Sequence, residues 1–202
     1  MQNKLIAGGI AGIVEVTCTH PLDYWKTILQ QNKKPKLTNI YRGVLSRYIG
    51  VIPMRSVFWT TQNYGKKEFK NNSLLINGFF TGTLTASTQT IIDTPIENIK
   101  VNQIYNKNKY IKLYKGFIPN YCRNVLFCVC STTGCLISPT YGLFTGSIIG
   151  CIISQPIDYI KTIQQTGIKP LIYNYMNGWQ YRALISPISM VIGYNIFALI
   201  NI

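Results

Sequence analysis

The hexapeptide PLDYWK at residues 21–26 carries a pattern, Pro-x-acid-x-x-Lys, that decides how this chain folds because it occurs again at two later places. The later copies are PIENIK at residues 95–100 and PIDYIK at residues 156–161. Only 6 residues of the chain are acidic, so chance would give roughly 0.03 copies of a motif this specific. The three copies therefore indicate an internal repeat.

Composition restricts the class of protein. Hydrophobic residues make up 47% of the chain and charged residues 13%, whereas soluble proteins carry about 25% charged residues. A net charge of +14 attracts polyanions, either nucleic acid or an anionic membrane. The tyrosines and tryptophans mostly flank apolar segments, which is typical of membrane interfaces and disfavours a hydrated nucleic-acid-binding face. We therefore predict a membrane protein that forms a single domain over residues 1–202.

Apolar segments long enough to cross a bilayer predict six transmembrane helices. No segment is an uninterrupted apolar run, so we expect the spans to be amphipathic. The segments are Leu5–Ile28, Gly43–Tyr64, Leu74–Ile104, Ile118–Ile137, Tyr141–Ile163 and Ala183–Ile202.

The signature copies divide the chain into three repeats of paired helices, over about 1–70, 71–138 and 139–202. In each repeat a Gly-rich apolar segment precedes the signature, and a basic polar stretch follows it. Small residues spaced by four predict close approach of helix backbones. The excess of Lys and Arg after the signatures predicts that this side faces the non-translocated compartment. The glycines are Gly8, Gly9, Gly12, Gly78, Gly82, Gly142, Gly146 and Gly150.

These repeats, with an aromatic-base-Gly element after the first two connecting loops, resemble the mitochondrial carrier family. The stretch AGIVE at 11–15 leading to HPLD at 20–23 is most similar to the oxodicarboxylate carriers. The resemblance implies an all-α protein of the mitochondrial inner membrane, of its own cell or of a host cell. It also implies Pro-kinked odd helices and short helices on the matrix side. Carriers of this family are longer, so we expect a shortened member, and a monomer.

The signature has a physical logic. Proline kinks a helix, and an acid and a base three residues apart share one face, so three such helices can aim their charges at a common axis. A local surface pair is the alternative for any single copy, and recurrence inside apolar segments disfavours it. The resemblance implies kinks at Pro21, Pro95 and Pro156, and a matrix gate of ion pairs that joins Asp23 to Lys100, Glu97 to Lys161 and Asp158 to Lys26, braced by Gln30 and Gln165.

Arginines in the even helices are candidates for substrate binding. By resemblance, the contact position after Gly116 falls on Arg123 and Asn124, with Arg55 and Arg182 as partners. Arginine suits carboxylate or phosphate, but each of these arginines could instead reach a lipid phosphate. Among the acids, Glu15 either binds a proton or cation or neutralises Arg55, and we expect Asp93 to cap or solvate near the second signature.

Structural lipid is the remaining ligand that the sequence predicts. The basic-Gly pairs Arg42-Gly43 and Lys115-Gly116, together with Gly178, precede even helices whose N-termini attract phosphate. In the family such sites hold cardiolipin; water alone is the alternative. We expect no other cofactor and no metal, because the cysteines form no C-x-x-C pair and the chain has one histidine. Catalytic triads and phosphate-binding loops are also missing from the sequence, so we do not expect an enzyme.

The predicted function is transport of small anionic metabolites, dicarboxylates or oxoacids, by alternating access as an exchange of one anion for another. Nucleotides or deoxynucleotides are the alternative substrates, and a carrier-like scaffold without transport is the alternative role. The family usually carries a second charged ring at the cytosolic ends of the even helices. Here Gly65 stands in the place of its acid in YGKK at 64–67, so we expect the cytosol-open state to lie lowest in free energy.

Overall fold

In the computed structural model the chain forms a bundle of long helices, and the residues described are 2–29, 40–41, 44–105, 113–166 and 179–200. Their secondary structure is helix and turn, without strands. The predicted short matrix-side helices fall in the segments between these ranges and lie outside the described residues. The helices are α1 Gln2–Leu29, α2 Val44–Glu68, α3 Leu74–Tyr105, α4 Phe117–Ile137, α5 Tyr141–Thr166 and α6 Trp179–Ile200. Each coincides with one predicted apolar segment.

Proline lies inside helices in both halves of the repeat. The signature prolines Pro21, Pro95 and Pro156 lie within α1, α3 and α5, and each helix continues beyond its proline. Helices α2 and α6 contain Pro53 and Pro187 in the same way. A proline in a helix interior removes one backbone hydrogen bond. Proline is therefore not restricted to the odd helices, and what distinguishes those helices is the acid and the lysine that follow it.

The helices form a closed ring. Each packs against the helix before and after it in the chain, and α6 packs against α1. Helix α3 also contacts α5 across the bundle. We call the end that holds the signatures the signature end; it contains the C-terminal parts of the odd helices and the N-terminal parts of the even ones. This arrangement brings three signature helices, which are far apart in sequence, around one interior.

Buried polar side chains fix the register between α3 and α4. Asn120 Nδ2 donates to Thr94 Oγ1 at 2.9 Å, and Asn124 Nδ2 donates to Thr90 Oγ1 at 2.9 Å. The partners are spaced by four residues on both helices, so the two bonds lie one above the other on facing surfaces. Asn98 Nδ2 also donates to the carbonyl oxygen of Lys115 at 3.0 Å. Sliding α4 along α3 would break these bonds together.

The outer surface is apolar. Many leucine, isoleucine and phenylalanine side chains of the helices are exposed, such as Leu75, Phe79 and Ile118. By length and composition, the segments Tyr141–Gln165 and Trp179–Ile200 are apolar enough to cross a membrane. Other helices carry their polar residues toward the interior, as the buried threonines and asparagines of α3 and α4 illustrate. An apolar exterior around a polar interior is the reverse of a soluble bundle.

Small residues allow the helix backbones to touch. A Cβ built on Gly82 of α3 would lie 2.6 Å from the Cα of Val129 on α4. A Cβ built on Gly9 of α1 would instead meet a side-chain atom, Ile52 Cγ2, at 3.2 Å. The glycine pattern therefore marks real close approaches, as its spacing predicted. The two positions differ in what surrounds them, because a side chain can move aside more easily than a backbone can.

This difference gives a test of the packing. We expect Gly82→Ala to lower the free energy of unfolding by about 1–3 kcal/mol through overpacking, although alanine favours a helix by about 1 kcal/mol over glycine. Gly9→Ala is the matched control and should be neutral or stabilising. Thermal unfolding of both variants in detergent measures the effect. Equal melting temperatures for the two variants would contradict the close approach of α3 and α4.

Candidate functional site

A polar cavity of about 130 Å³ lies in the interior of the bundle, and five helices line it. Its wall is rich in charge: the acids Glu15, Asp23, Asp93 and Glu97 and four arginines contribute to it. Asp158 lies directly beside it, in contact with one of these arginines. Of the chain's 6 acidic residues, the remaining one, Glu68, is exposed at the end of α2. The lining arginines are Arg47, Arg55, Arg123 and Arg182.

The structure brings one predicted gate pair together directly. Lys161 Nζ donates to Glu97 Oε2, which joins α5 to α3 and therefore the third repeat to the second. Lys161 Nζ also lies 3.5 Å from Asp158 Oδ1 on its own helix. Both Lys161 and Asp158 are buried. This pair draws its two charges from different repeats, as the resemblance implies.

Other gate and brace residues are described only in part. The side chains of Lys26 and Lys100 lie outside the described residues, as does Gln30, so the pairs Asp23–Lys100 and Asp158–Lys26 stay predictions. Asp23 lines the cavity. Gln165 is partly buried beside Gly116, where an added Cβ would lie 3.3 Å from Gln165 Cγ. Within the described part of the chain its Nε2 has no hydrogen-bond partner, so bracing by Gln165 also stays a prediction.

Arg123 occupies the centre of the charged network. Its Nη1 lies 3.0 Å from Asp158 Oδ1 and 3.6 Å from Glu97 Oε1, and its Nη2 lies 3.3 Å from Asp93 Oδ2. The guanidinium therefore links α4 to both α3 and α5. Arginine is suited to this place because its planar group presents several donors in fixed directions. Arg123, predicted as a substrate contact, has carboxylates of the protein around it, and a substrate carboxylate must compete with them.

Asn124 forms hydrogen bonds with Arg123 as well as the bond that joins α4 to α3. Its Oδ1 accepts hydrogen bonds from Arg123 Nη2 at 2.7 Å and from Arg123 Nε at 3.2 Å. Its Nδ2 is held by Thr90 on α3. Asn124 lines the cavity, as expected for a predicted substrate contact. The bonds show in addition that this asparagine orients the Arg123 guanidinium.

Two charged residues of the site were not identified as such from the sequence. Arg47 Nη1 lies 3.4 Å from Asp93 Oδ1, so Asp93 bridges Arg47 on α2 and Arg123 on α4. The expectation that Asp93 caps or solvates the second signature is wrong, because its carboxylate is 2% exposed and holds two arginines. The sequence could have identified Arg47, because a charged residue inside an apolar segment usually faces a polar interior. Arg47 lies in the same apolar segment as Arg55.

Glu15 and Arg55 form a second ionic cluster, which joins α1, α2 and α6. Arg55 Nη2 donates to Glu15 Oε1 and, at 2.9 Å, to Ser189 Oγ. Ser189 Oγ also donates to Glu15 Oε1. Glu15 is 5% exposed and Arg55 is 7% exposed. Of the two roles considered for Glu15, neutralising Arg55 is the one that the contacts display, and both side chains still line the cavity.

Arg182 reaches the cavity from α6. Its Nη2 donates to Ser154 Oγ at 2.7 Å, and its Nη1 donates to Gln155 Oε1 at 3.4 Å. Arg182 Nη1 also lies 4.0 Å from Asp158 Oδ2. The three arginines predicted for substrate binding therefore all face one interior, and none of them reaches outward to the lipid side.

The predicted lipid site is described at one of its three places. Gly116 precedes α4 with a φ of 77°, a conformation that glycine adopts without strain. Lys115 beside it is exposed. Of the first residues of α4, Phe117 N donates to the Tyr114 carbonyl oxygen at 3.2 Å and Pro119 has no N–H. The N–H of Ile118 and the exposed Lys115 are therefore the groups at this turn that an anion would contact. Arg42, Gly43 and Gly178 lie outside the described residues.

Comparison with known proteins agrees with this architecture. The family model for mitochondrial carrier protein matches residues 1–40. The chain is 26% identical to mitochondrial substrate carrier family protein X of Dictyostelium discoideum, over 84% of this chain and 74% of that protein. It is 28% identical to the mitochondrial 2-oxodicarboxylate carrier of Pongo abelii, over 55% of this chain and 44% of that protein. It is also 28% identical to tricarboxylate transport protein B, mitochondrial, of Danio rerio, over 56% of this chain and 43% of that protein. The chain therefore spans less than half the length of the latter two.

The Glu15–Arg55 cluster predicts a specific pattern of stability. Glu15→Gln should lower the free energy of unfolding by about 3 kcal/mol, because a buried guanidinium then lacks its counterion. The double variant Glu15→Gln/Arg55→Met should lose clearly less, since no buried charge is left unpaired. Thermal unfolding in detergent of both variants and of Arg55→Met completes a double-mutant cycle. Purely additive losses would argue against a coupled pair.

Proposed function

We propose that this chain is a member of the mitochondrial carrier family, lies in the mitochondrial inner membrane and moves small anionic metabolites across that membrane by alternating access. The observation that carries this proposal is the cavity into which Arg47, Arg55, Arg123 and Arg182 converge from α2, α4 and α6. Such a cavity can receive an anion at the centre of the bundle. We place dicarboxylates or oxoacids first among the substrates, since one relative is a 2-oxodicarboxylate carrier.

The ion pairs at the signature end act as a gate in this proposal. The three signature acids and lysines close the matrix side, with Asp23–Lys100 and Asp158–Lys26 added to the Glu97–Lys161 pair. Lys161 is buried in this state, but once water enters the cavity such pairs are worth about 0–1 kcal/mol each. A ring of them can therefore be opened by a substrate that binds one state better than the other. Kinks at the signature prolines let the odd helices converge when the gate closes.

The opposite side of the cavity carries an apolar barrier in place of charges. Phe58 and Trp59 of α2, about one turn beyond Arg55, form one cluster with Met190 and Phe197 of α6. The Trp59 and Phe197 rings stack at 5.6 Å between centroids. The α2 members of this cluster lie between Arg55 and Gly65, where the acid of the second ring is missing. The lower free energy of the cytosol-open state remains our expectation.

The rest of the proposal concerns the whole carrier. The described helices, with their apolar exterior, cross the membrane six times, and the protein works as a monomer by exchanging one anion for another. Cardiolipin binds at the Lys115-Gly116 turn and at the corresponding sites of the other repeats. The chain is a carrier and not an enzyme, so its cavity binds and releases its ligand without changing it.

Two alternatives share part of this evidence. Nucleotides or deoxynucleotides would also suit the arginines, because guanidinium groups bind phosphate as well as carboxylate. A scaffold without transport would keep the bundle and the membrane location but use the charged interior for stability alone. The ion pairs of Arg55 with Glu15 and of Arg123 with Asp158 are the observation that favours the scaffold, because these arginines are already neutralised without a substrate.

Counter-exchange in liposomes tests the proposal. Purified protein reconstituted with internal dicarboxylate should take up labelled 2-oxodicarboxylate, and it should not do so when the internal anion is omitted. Nucleotide-loaded liposomes test the alternative substrates in parallel. Uptake of nucleotides alone would move the substrate class to phosphates, and the absence of uptake with every anion would support the scaffold.

Arg123 is the variant of choice in the same assay. We expect Arg123→Gln to lower exchange about a hundredfold, because removing one member of a buried charge pair costs about 2–5 kcal/mol. Arg123→Lys should keep part of the activity, since it preserves the charge without the planar fork. Lys67→Gln is the matched control, because Lys67 is exposed at the end of α2 and its loss changes the net charge equally. Full exchange by Arg123→Gln would exclude Arg123 from the transport pathway.

A further inference from the structure

We propose that Asp93 is a specificity-determining residue, an internal carboxylate that lowers by one the number of carboxylate groups that the cavity accepts from a substrate. This inference rests on the proposed function, since it concerns the same anion site. It does not follow from the signature pattern, to which Asp93 does not belong. It follows from where the Asp93 carboxylate lies and from which groups it neutralises.

The first step is the geometry of the bridge. Asp93 Oδ1 lies 3.4 Å from Arg47 Nη1, and Asp93 Oδ2 lies 3.3 Å from Arg123 Nη2. One carboxylate thus uses its two oxygens on two guanidinium groups, which come from α2 and α4 in different repeats. All three residues line the cavity. A carboxylate of a substrate, placed between the same arginines, would make the same contacts.

The second step is that the two arginines depend on Asp93 to different degrees. Arg123 has other carboxylates in contact, Asp158 at 3.0 Å and Glu97 at 3.6 Å. For Arg47, Asp93 is the carboxylate found within 4.0 Å among the described residues. Removing the charge of Asp93 therefore leaves Arg47 without the carboxylate that contacts it directly, although Asp23, Glu97 and Glu15 act on Arg47 from farther away. The vacated place can receive an additional anionic group. Adding a negative charge beside the intact Asp93 is disfavoured, because like charges repel more strongly inside the protein than in water.

The third step is the consequence for selectivity, which is a difference between two affinities. With Asp93 in place, a substrate with fewer carboxylates is favoured, since its charge is matched by the other arginines. Without the Asp93 charge, the site should favour a substrate that supplies one more carboxylate. Asp93 thus tunes the choice between dicarboxylates and tricarboxylates, the two substrate classes named in relatives of this chain.

The test compares two anions that differ by one carboxylate. Glutarate and tricarballylate share a five-carbon dicarboxylate chain, and tricarballylate adds a carboxylate at the central carbon. Dissociation constants for both are measured on purified full-length protein in detergent by calorimetry, and their competition with exchange is measured in liposomes. We expect Asp93→Asn to change the ratio of the two dissociation constants about tenfold in favour of tricarballylate, which corresponds to about 1.4 kcal/mol.

Glu68 offers a matched control on the same chain. Glu68→Gln removes the same charge from an exposed position outside the cavity, so the ratio should stay at the wild-type value. Asp93→Glu keeps the charge and should also leave the preference for glutarate in place. Arg47→Gln removes the opposite charge from the bridge and should move the ratio toward glutarate, which provides an independent readout if Asp93→Asn does not fold.

Each outcome decides the proposal. The role of Asp93 is overturned if the ratio of the two dissociation constants is unchanged in folded Asp93→Asn, or if Glu68→Gln shifts this ratio equally. In that case, exchange of glutarate by the wild type would still support the proposed function. If Asp93→Asn does not fold, a ratio that fails to move toward glutarate in Arg47→Gln overturns the role of Asp93 equally. If neither the wild type nor any variant binds or exchanges either anion, the proposed anion transport fails and this inference fails with it.

Discussion

Buried carboxylates must be neutralised inside an apolar bundle, and the neutralising base comes from another helix. This constraint determines the interior of the protein. An unpaired charge at such a depth is far more costly than any single contact can offset. The described ion pairs therefore act as ties between elements: Glu15 with Arg55 joins α1 to α2, Glu97 with Lys161 joins α3 to α5, and Asp158 with Arg123 joins α5 to α4.

Packing and hydrogen bonds between uncharged residues set the distances between the helices, and therefore the distances between the charged groups. Backbone approach at Gly82 and the paired Asn–Thr bonds hold α3 and α4 in one register. Asn124 then transmits this register to Arg123 by accepting its guanidinium hydrogens. A helix pair with bulkier residues would stand farther apart, and the guanidinium could not contact carboxylates on both neighbouring helices. The packing of α3 against α4 and the ion pairs of Arg123 are therefore linked through two adjacent residues, Arg123 and Asn124.

The two ends of the cavity differ in the kind of interaction that closes them. Charged groups dominate at the signature end, whereas Trp59, Phe58, Met190 and Phe197 form an apolar cluster toward the other end. Ion pairs weaken when water reaches them, while apolar contacts are lost in proportion to the area that separates. Opening the two ends would therefore respond to different influences, namely to a charged substrate at one end and to helix separation at the other.

The sequence by itself determined the helices, their number, their pairing into repeats and the face on which each signature acid and lysine lies. It did so because the periodicity of a helix and the recurrence of a motif are both properties of the linear sequence, which need no knowledge of contacts between helices. The resemblance to the mitochondrial carrier family also implied that Glu97 would meet Lys161, and the structure brings these two together. Only the tertiary structure decided that Asp93 bridges Arg47 and Arg123, and that Arg123 lies among three carboxylates. Spacing along a helix fixes the direction of a side chain, but the identity of its partner depends on how neighbouring helices are rotated and shifted, and that is settled by packing of the whole bundle.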